Sequence, residues 1–332
     1  MKMFLKQAAK PLLALLALSV VCVSGVGAAH ILKSSDMRGD MGILEDFGPR
    51  GACWLPDGRL FVADWRYTVF HIFDTDGRRF AFLQHPEPQV PEAHYDSMCS
   101  LGNNTFLAVG SHYHVNNNPR YLGSRSVVHK MVLEGEKFAP LSGKENYSPD
   151  TALRATGLYG DSAENRLEIT GTAADVKKNR IYFGCSQPLQ PDGTVLILSG
   201  RLDKLLTKQD DMKLEIVKTG LKPGKEPALN ADFFVSDLQY VGEKGLAILL
   251  TSQNKDEKLF GSNQIWFLAA GSDHASLVAK ELAPGNRATA LALRYESKSK
   301  DFTAALLCDN NCEETKVPSR TVIVEHLQLP VR

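Results

Sequence analysis

One hairpin pattern recurs five times along this chain, and it narrows the fold sharply. In each copy an apolar run reaches a short turn, a second and more apolar run returns, and the return ends in small or polar residues. The outgoing and returning runs are Gly51–Leu55 with Leu60–Ala63, Ser97–Leu101 with Phe106–Gly110, and Gly171–Val176 with Ile181–Gly184. Two more follow, Ser236–Val241 with Leu246–Leu250 and Ala288–Leu293 with Phe302–Leu307. Turn residues such as Pro56-Asp57-Gly58 and Gly102-Asn103-Asn104 sit between them, where φ > 0 or a preset φ is needed.

A third strand-like run follows each hairpin: Thr68–Phe73, Ser126–Val132, Thr194–Leu198, Gln264–Leu268 and Thr321–Glu325. Units of three or four short strands, starting about 45–75 residues apart, predict propeller blades. A single such unit cannot bury both faces, whereas radial stacking covers each with its neighbours. The expected fold is all-β, a five- or six-bladed β-propeller over 29–332 with a short helical insertion at about 141–165. Asp150 is the predicted cap of that helix. A pair of β-sandwiches is the main alternative; the doubly apolar inner runs favour the propeller.

The first residues have the form of a signal peptide. Lys2, Lys6 and Lys10 precede an apolar stretch from Leu12 to Val23, and small residues follow up to Ala29. That stretch is short for a bilayer span. Cleavage is expected after Ala28, giving a periplasmic or secreted protein with no membrane span in the mature chain. The cut removes three lysines and no acid from a chain of net charge 0. The mature protein is then slightly acidic with no basic stripe, which argues against nucleic acid as a partner.

Five cysteines remain after cleavage, an odd number that does not suit a disulfide framework. Cys308 and Cys312 bracket a polar loop, and a small-ring disulfide there is left open. Cys53, Cys99 and Cys185 lie in apolar runs and read as buried thiols.

The stretch from Gly48 to Trp65, with Val69-Phe-His-Ile-Phe-Asp-Thr-Asp-Gly-Arg78 behind it, resembles an NHL-type or gluconolactonase-like blade. A fainter resemblance covers most of the mature chain, through Gly110-Ser111-His112, Gly123–Val127, Ile181–Leu189 and Val235–Leu238. It is to uncharacterised bacterial secreted propellers related to the esterase-like, phytase-like group. That group tends to carry a Glu-Gly pair on inner strands. Here the matching places read Ser97-Met98, Thr170-Gly171 and Thr289-Ala290; the acids are missing.

In a propeller, the loops that start inner strands and leave second strands open on one face, the default place for a pocket. Candidate ligand-binding residues there are Arg50, Trp65, Arg66, Asp96, Ser111, Ser186, Gln187, Gln253 and Asn310. Candidate catalytic residues are Asp64, His112, Asp237 and Asp309. His112 and His114, two apart on an extended strand, form with Asp96 or His94 a candidate site for a divalent metal such as Ca²⁺ or Zn²⁺. Asp64 has a second reading as a turn-holding acid. No nucleophile elbow, phosphate-cradling loop or dinucleotide fingerprint is present. Two functions follow: a non-catalytic propeller binding a small molecule or a protein, or a metal-assisted hydrolase of a lactone or phosphoester.

Overall fold

The computed structural model describes residues 29–39, 45, 47–66, 69–84, 94–112, 125–139, 146–157, 167–207, 211–227, 229–254, 259–311 and 315–330. The expected signal peptide, His114 and Cys312 lie outside them.

Among the described residues twenty-two strands form five antiparallel sheets, each one blade. Blade 1 consists of β2 (Pro49–Trp54), β3 (Leu60–Asp64), β4 (Val69–Phe73) and β5 (Arg79–Gln84). Blade 2 has β6 (Tyr95–Gly102), β7 (Thr105–Gly110), β8 (Val128–Glu134), and the two-residue β9 (Lys137–Phe138) and β10 (Asn146–Tyr147). Blade 3 holds β11 (Glu168–Asp175), β12 (Arg180–Gln187), β13 (Leu196–Arg201) and β14 (Glu215–Ile216). Blade 4 holds β15 (Lys225–Glu226), β16 (Ala231–Tyr240), β17 (Gly245–Asn254), β18 (Leu259–Ala269) and β19 (Ser276–Lys280). In blade 5, β20 (Ala288–Glu296), β21 (Asp301–Cys308) and β22 (Arg320–Leu327) are completed by β1 (His30–Asp36), whose residues precede blade 1 in the chain.

That last pairing closes the ring. β1 runs antiparallel to β22 from His30↔Glu325 to Asp36↔Arg320, so the two ends of the described chain lie in one sheet. Arg320 Nε donates to Asp36 Oδ1 at 2.9 Å, and Met37 N donates to Ser319 O at 2.8 Å. The hairpin pattern did not reveal β1, because its residues are largely exposed and carry no apolar period.

The blade count is five. The segment considered for a sixth contributes β10, which pairs with β8 at the outer side of blade 2, and helix α1 (Asp150–Ala155). Asp150 is the first residue of α1 rather than its cap: Pro149 occupies the cap without a side-chain bond, and Ser148 Oγ accepts Asp150 N at 3.2 Å. A second short helix, α2 (Leu202–Leu206), follows β13.

The apolar residues divide into five clusters, one per seam between blades. Phe61 and Phe70 of blade 1 meet Tyr95, Met98 and Phe106 of blade 2. The centroids of Phe61 and Phe106 are 4.8 Å apart across that seam. Blades 2 and 3 share Leu107, Val109, Ile169 and Phe183, with Leu153 of α1. Val195, Phe233 and Ile248 join blades 3 and 4, and Leu249, Ile265, Leu291 and Leu306 join blades 4 and 5. The seam from blade 5 to blade 1 is built on Ala290, Ala292 and Ala305 against Leu60 and Val62. This is why the second strands carry long unalternating apolar runs: every residue of β3 and of β21 is buried.

Each inner strand carries a bulge at the same height. The register shifts at Pro49/Ala52, Tyr95/Ser97, Ile169/Gly171, Val235/Asp237 and Ala288/Ala290. A bulge leaves an extra residue outside the ladder and re-aims its side chain. Those residues are Arg50 with Gly51, then Asp96, Thr170, Ser236 and Thr289.

Candidate ligand-binding site

The five bulges build the site. Arg50, Asp96, Thr170, Ser236 and Thr289 all line one central cavity of about 570 Å³. Three of them act as rivets between blades. Thr170 Oγ1 donates to Val235 O at 2.6 Å, Ser236 Oγ to Ala288 O at 2.7 Å, and Thr289 Oγ1 to Pro49 O at 2.6 Å. In each case the acceptor is the residue just before the next blade's bulge. Two positions break this series. Arg50 and Asp96 replace hydroxyls with charges, and they face each other across blades 1 and 2, Nε to Oδ1 3.4 Å. The seam from blade 2 to blade 3 is bridged one residue later, by Ser97 Oγ and Thr172 Oγ1 at 2.6 Å.

Behind Arg50 lies a cationic cluster around one carboxylate. Asp309 is fully buried just past the end of β21. It takes Arg287 Nη2 at 2.6 Å, Arg66 Nη2 at 3.1 Å and Trp65 Nε1 at 3.0 Å, with Arg50 Nη2 at 3.3 Å. Burial pushes the Asp309 carboxyl up, but the three guanidiniums overcome this and hold it at about 2. Arg287 is itself pulled down to about 10, by burial first and then by repulsion from Arg50. Trp65 has Arg50 and Arg66 over its ring, 5.4 and 5.3 Å from the centroid, a cation–π arrangement.

The adjoining wall is acidic. Asp96 and Glu168 line the cavity from blades 2 and 3, and Asp232 from blade 4. Glu168 accepts Ser186 Oγ at 2.6 Å. The Asp96 carboxyl stands at about 6: burial raises it, Arg50 pulls it down, and the neighbouring Glu168 charge adds to the rise. Gln187, Gln253 and Asn254 supply neutral donors and acceptors at the ends of second strands.

The raised Asp96 carboxyl has a measurable consequence. Its folded pKa lies above the ordinary unfolded value of about 3.9, so the folded protein holds the proton more tightly. Stability therefore falls as pH rises from about 4 to about 6 and is flat above that with respect to this group. An Asp96→Asn variant is expected to remove that decline. Melting temperature measured against pH for both proteins checks it; parallel curves would contradict the assignment.

The sequence-derived candidates separate clearly in space. Arg50, Asp96, Ser186, Gln187 and Gln253 line the cavity. Trp65 and Arg66 stand behind it on Asp309, and the buried Ser111 hydrogen-bonds Asp96. Asn310 faces inward: its Oδ1 accepts Arg287 N at 3.0 Å, and its Nδ2 donates to Asn286 and Pro318.

The four candidate catalytic residues do not meet. Asp64 is turned into blade 1, accepting Gly48 N at 3.1 Å and Arg66 N at 2.9 Å beside His71, which is the turn-holding role. Asp237 accepts Leu238 N at 2.8 Å and Leu291 N at 2.7 Å deep between blades, and burial raises its carboxyl well above the usual range. His112 is buried with Nδ1 on Gly110 O at 2.8 Å and Nε2 3.7 Å from Asp150. Only Asp309 touches the cluster beside the cavity. For the candidate metal set, His112 and Asp96 look toward different partners, and His114 is outside the described residues. Among the described residues no three metal-ligating side chains gather. The Cys308 thiol is free and buried, pushed up to about 12 by its surroundings.

Glu168, Thr170, Ser236, Asp232 and Thr289 were not singled out as ligand candidates from the sequence. A usable signal was there: in every inner strand a polar or charged residue stands a step or two ahead of the apolar run. It also corrects the search for inner-strand acids. In blade 2 the bulge residue is Asp96, one place before Ser97, so an acid does occupy that bulge.

No family model matches the chain, and no curated protein matches it. Solved structures of similar shape include a protein of unknown function from Bacteroides thetaiotaomicron. It is 9% identical, with 88% of this chain and 76% of that one covered at a TM-score of 0.40. A proposed oxidoreductase (glucose dehydrogenase) from Thermus thermophilus is 12% identical, with 88% and 99% covered and a TM-score of 0.40. The tail fibre of Staphylococcus aureus phage P68 is 9% identical at a TM-score of 0.42; 88% of this chain spans about half of the fibre chain, 52%. These likenesses carry no argument about activity.

Proposed function

We propose that this protein is an exported β-propeller that binds a small ligand in its central cavity. One observation carries the reading. At two of the five bulges the hydroxyl that rivets neighbouring blades is replaced by a charge, and both charges line the cavity. Desolvating an arginine and an aspartate where a hydroxyl would serve is costly, and a perturbed carboxyl in a cleft, as at Asp96, marks a functional site. The cavity also has the size usual for small-molecule sites.

Export is supported by the lysine-flanked apolar stretch and by the position of β1, which starts at His30. Cleavage after Ala28 would leave every described strand intact. Among the described residues no helix is long and apolar enough to cross a membrane.

Thermal-shift screening of the purified mature protein against small metabolites tests the binding reading. A ligand whose stabilisation grows with its concentration is expected, and Arg50→Gln should weaken it. A panel that leaves the melting temperature unmoved would count against the site. N-terminal sequencing of protein from an extracytoplasmic fraction should begin at Ala29; an intact Met1 would refute cleavage, and absence of the protein from that fraction would refute export.

A further inference from the structure

The charges in the cavity are sorted by blade, and this sorting specifies a ligand chemistry. Arg50 and Arg287 stand on the wall made by blades 1 and 5, whereas Asp96 and Glu168 stand on the wall made by blades 2 and 3. Resting on the reading of this cavity as a ligand site, we propose that it receives a zwitterion carrying a carboxylate and an ammonium group, of free amino-acid or dipeptide size. The carboxylate pairs with Arg50, with Arg287 beside it. The ammonium pairs with Asp96 and Glu168.

The two walls are not equally neutralised by their own partners. Arg287 is committed: Nη2 lies 2.6 Å from Asp309 Oδ2, Nε donates to Asp309 O at 2.9 Å, and Nη1 reaches Gln253 at 3.3 Å. Arg50 is less so. Its ion pairs with Asp96 and Asp309 measure 3.4 and 3.3 Å, longer than the 2.7–2.9 Å typical of a charge-assisted hydrogen bond. A ligand carboxylate can therefore take Arg50 donors without breaking a tight bond. On the adjoining blade, Asp96 is raised by burial first and also by the Glu168 charge of blade 3, against the pull of Arg50 from blade 1, Arg125 from the segment before β8 and Ser111 from the end of β7. Its ion-pair and hydroxyl partners leave room for a cation beside it, since the Arg50 contact is long at 3.4 Å. Glu168 itself accepts a neutral hydroxyl, Ser186 Oγ.

An anion alone would face Asp96 and Glu168, and a cation alone would face Arg50 and Arg287. A molecule bearing both charges satisfies each wall and repels neither, which is how arranged charges select a partner. Gln253 beside Arg287 and Gln187 beside Glu168 add neutral donors and acceptors to the lining.

Isothermal titration of the mature protein with the free α-amino acids and unblocked dipeptides tests this. At least one is expected to bind, and its N-acetyl and C-amide derivatives should each bind at least about tenfold more weakly. Glu168→Gln should abolish discrimination against the N-acetyl form, and Arg50→Gln against the C-amide form. The blocked derivatives test the claim on the unaltered protein even if a variant fails to fold. Binding of the parent that survives either block would overturn the inference. If instead only uncharged or singly charged metabolites bind, the zwitterion is wrong and the cavity remains a ligand site. If nothing in either panel binds, both readings fall.

Discussion

An Asp309→Ala variant is expected to lose about 3–5 kcal/mol of stability, the usual cost of leaving buried charge unpaired. The magnitude follows from what one carboxylate does. Asp309 neutralises Arg66 and Arg287 directly, holds Arg50 at 3.3 Å, and accepts the Trp65 indole. Without it three guanidiniums converge with no central anion, and Arg50 and Arg66 already pull Arg287 toward its neutral form. Equilibrium denaturation in urea measures the loss. Asp309→Asn, which keeps the shape and removes the charge, should fall between parent and alanine. A change under about 0.5 kcal/mol for the alanine variant, the level of an ordinary surface substitution, would mean that the cluster is held by other bonds. The sign with pH is also fixed. The Asp309 carboxyl is held at about 2, below the ordinary unfolded value. Its contribution is therefore present above about pH 4 and is lost as pH falls through about 2. This is opposite to the behaviour of Asp96. The two carboxylates titrate in different windows because three guanidiniums overcome burial at Asp309, whereas at Asp96 burial, aided by the Glu168 charge, prevails over Arg50.

The fold was largely legible because propeller packing writes itself into local sequence. Both faces of the inner and second strands are covered, so runs such as Leu60–Ala63 and Phe302–Leu307 are apolar without alternation, and each ends where the face opens. The closure was not legible. β1 pairs with β22 across the whole length of the chain, and an exposed edge strand needs no apolar code. The helix cap failed for a local reason: Asp150 suited a cap by type, but Pro149 already occupies that position and Ser148 accepts the Asp150 N–H.

The site was half legible. Looking at strand ends finds Arg50, Asp96, Ser186, Gln187 and Gln253, because the end of a strand decides which face a residue reaches. It does not separate acids that look outward from acids that hold backbone. Asp64, Asp237 and Asp309 are all short acids that accept backbone N–H groups, yet among these three Asp309 alone also pairs with guanidinium groups. The difference lies in the partners, which come from residues as distant in sequence as Arg50 and Asp309. The bulges were hidden for a related reason. A bulge is a mismatch between two strands, visible only when the register of both is known.

Gly51→Ala is the substitution that most directly tests how the bulges set the site. Gly51 shares the blade 1 bulge with Arg50 and has φ of 97°. A Cβ there would lie 2.2 Å from Met98 N and 2.7 Å from the Ser97 carbonyl carbon, both backbone atoms of β6. Backbone in a paired strand cannot step aside as a flexible side chain can, so alanine must push the inner strands of blades 1 and 2 apart. Positive φ costs an L-residue about 1–2 kcal/mol, and overpacking adds about 1–3 kcal/mol. The expected loss is at least about 2 kcal/mol by those terms together. Gly102→Ala is the matched control, because φ is 85° and a Cβ would meet nothing within 4 Å. It should show the backbone cost alone. Denaturation midpoints of the two variants isolate the steric part as their difference, and equal losses would show that the seam yields. The same displacement would separate Arg50 from Asp96, since they bridge that seam. Gly51→Ala should therefore also weaken ligand binding under conditions where the protein is still folded, whereas Gly102→Ala, at the far end of β6, should not.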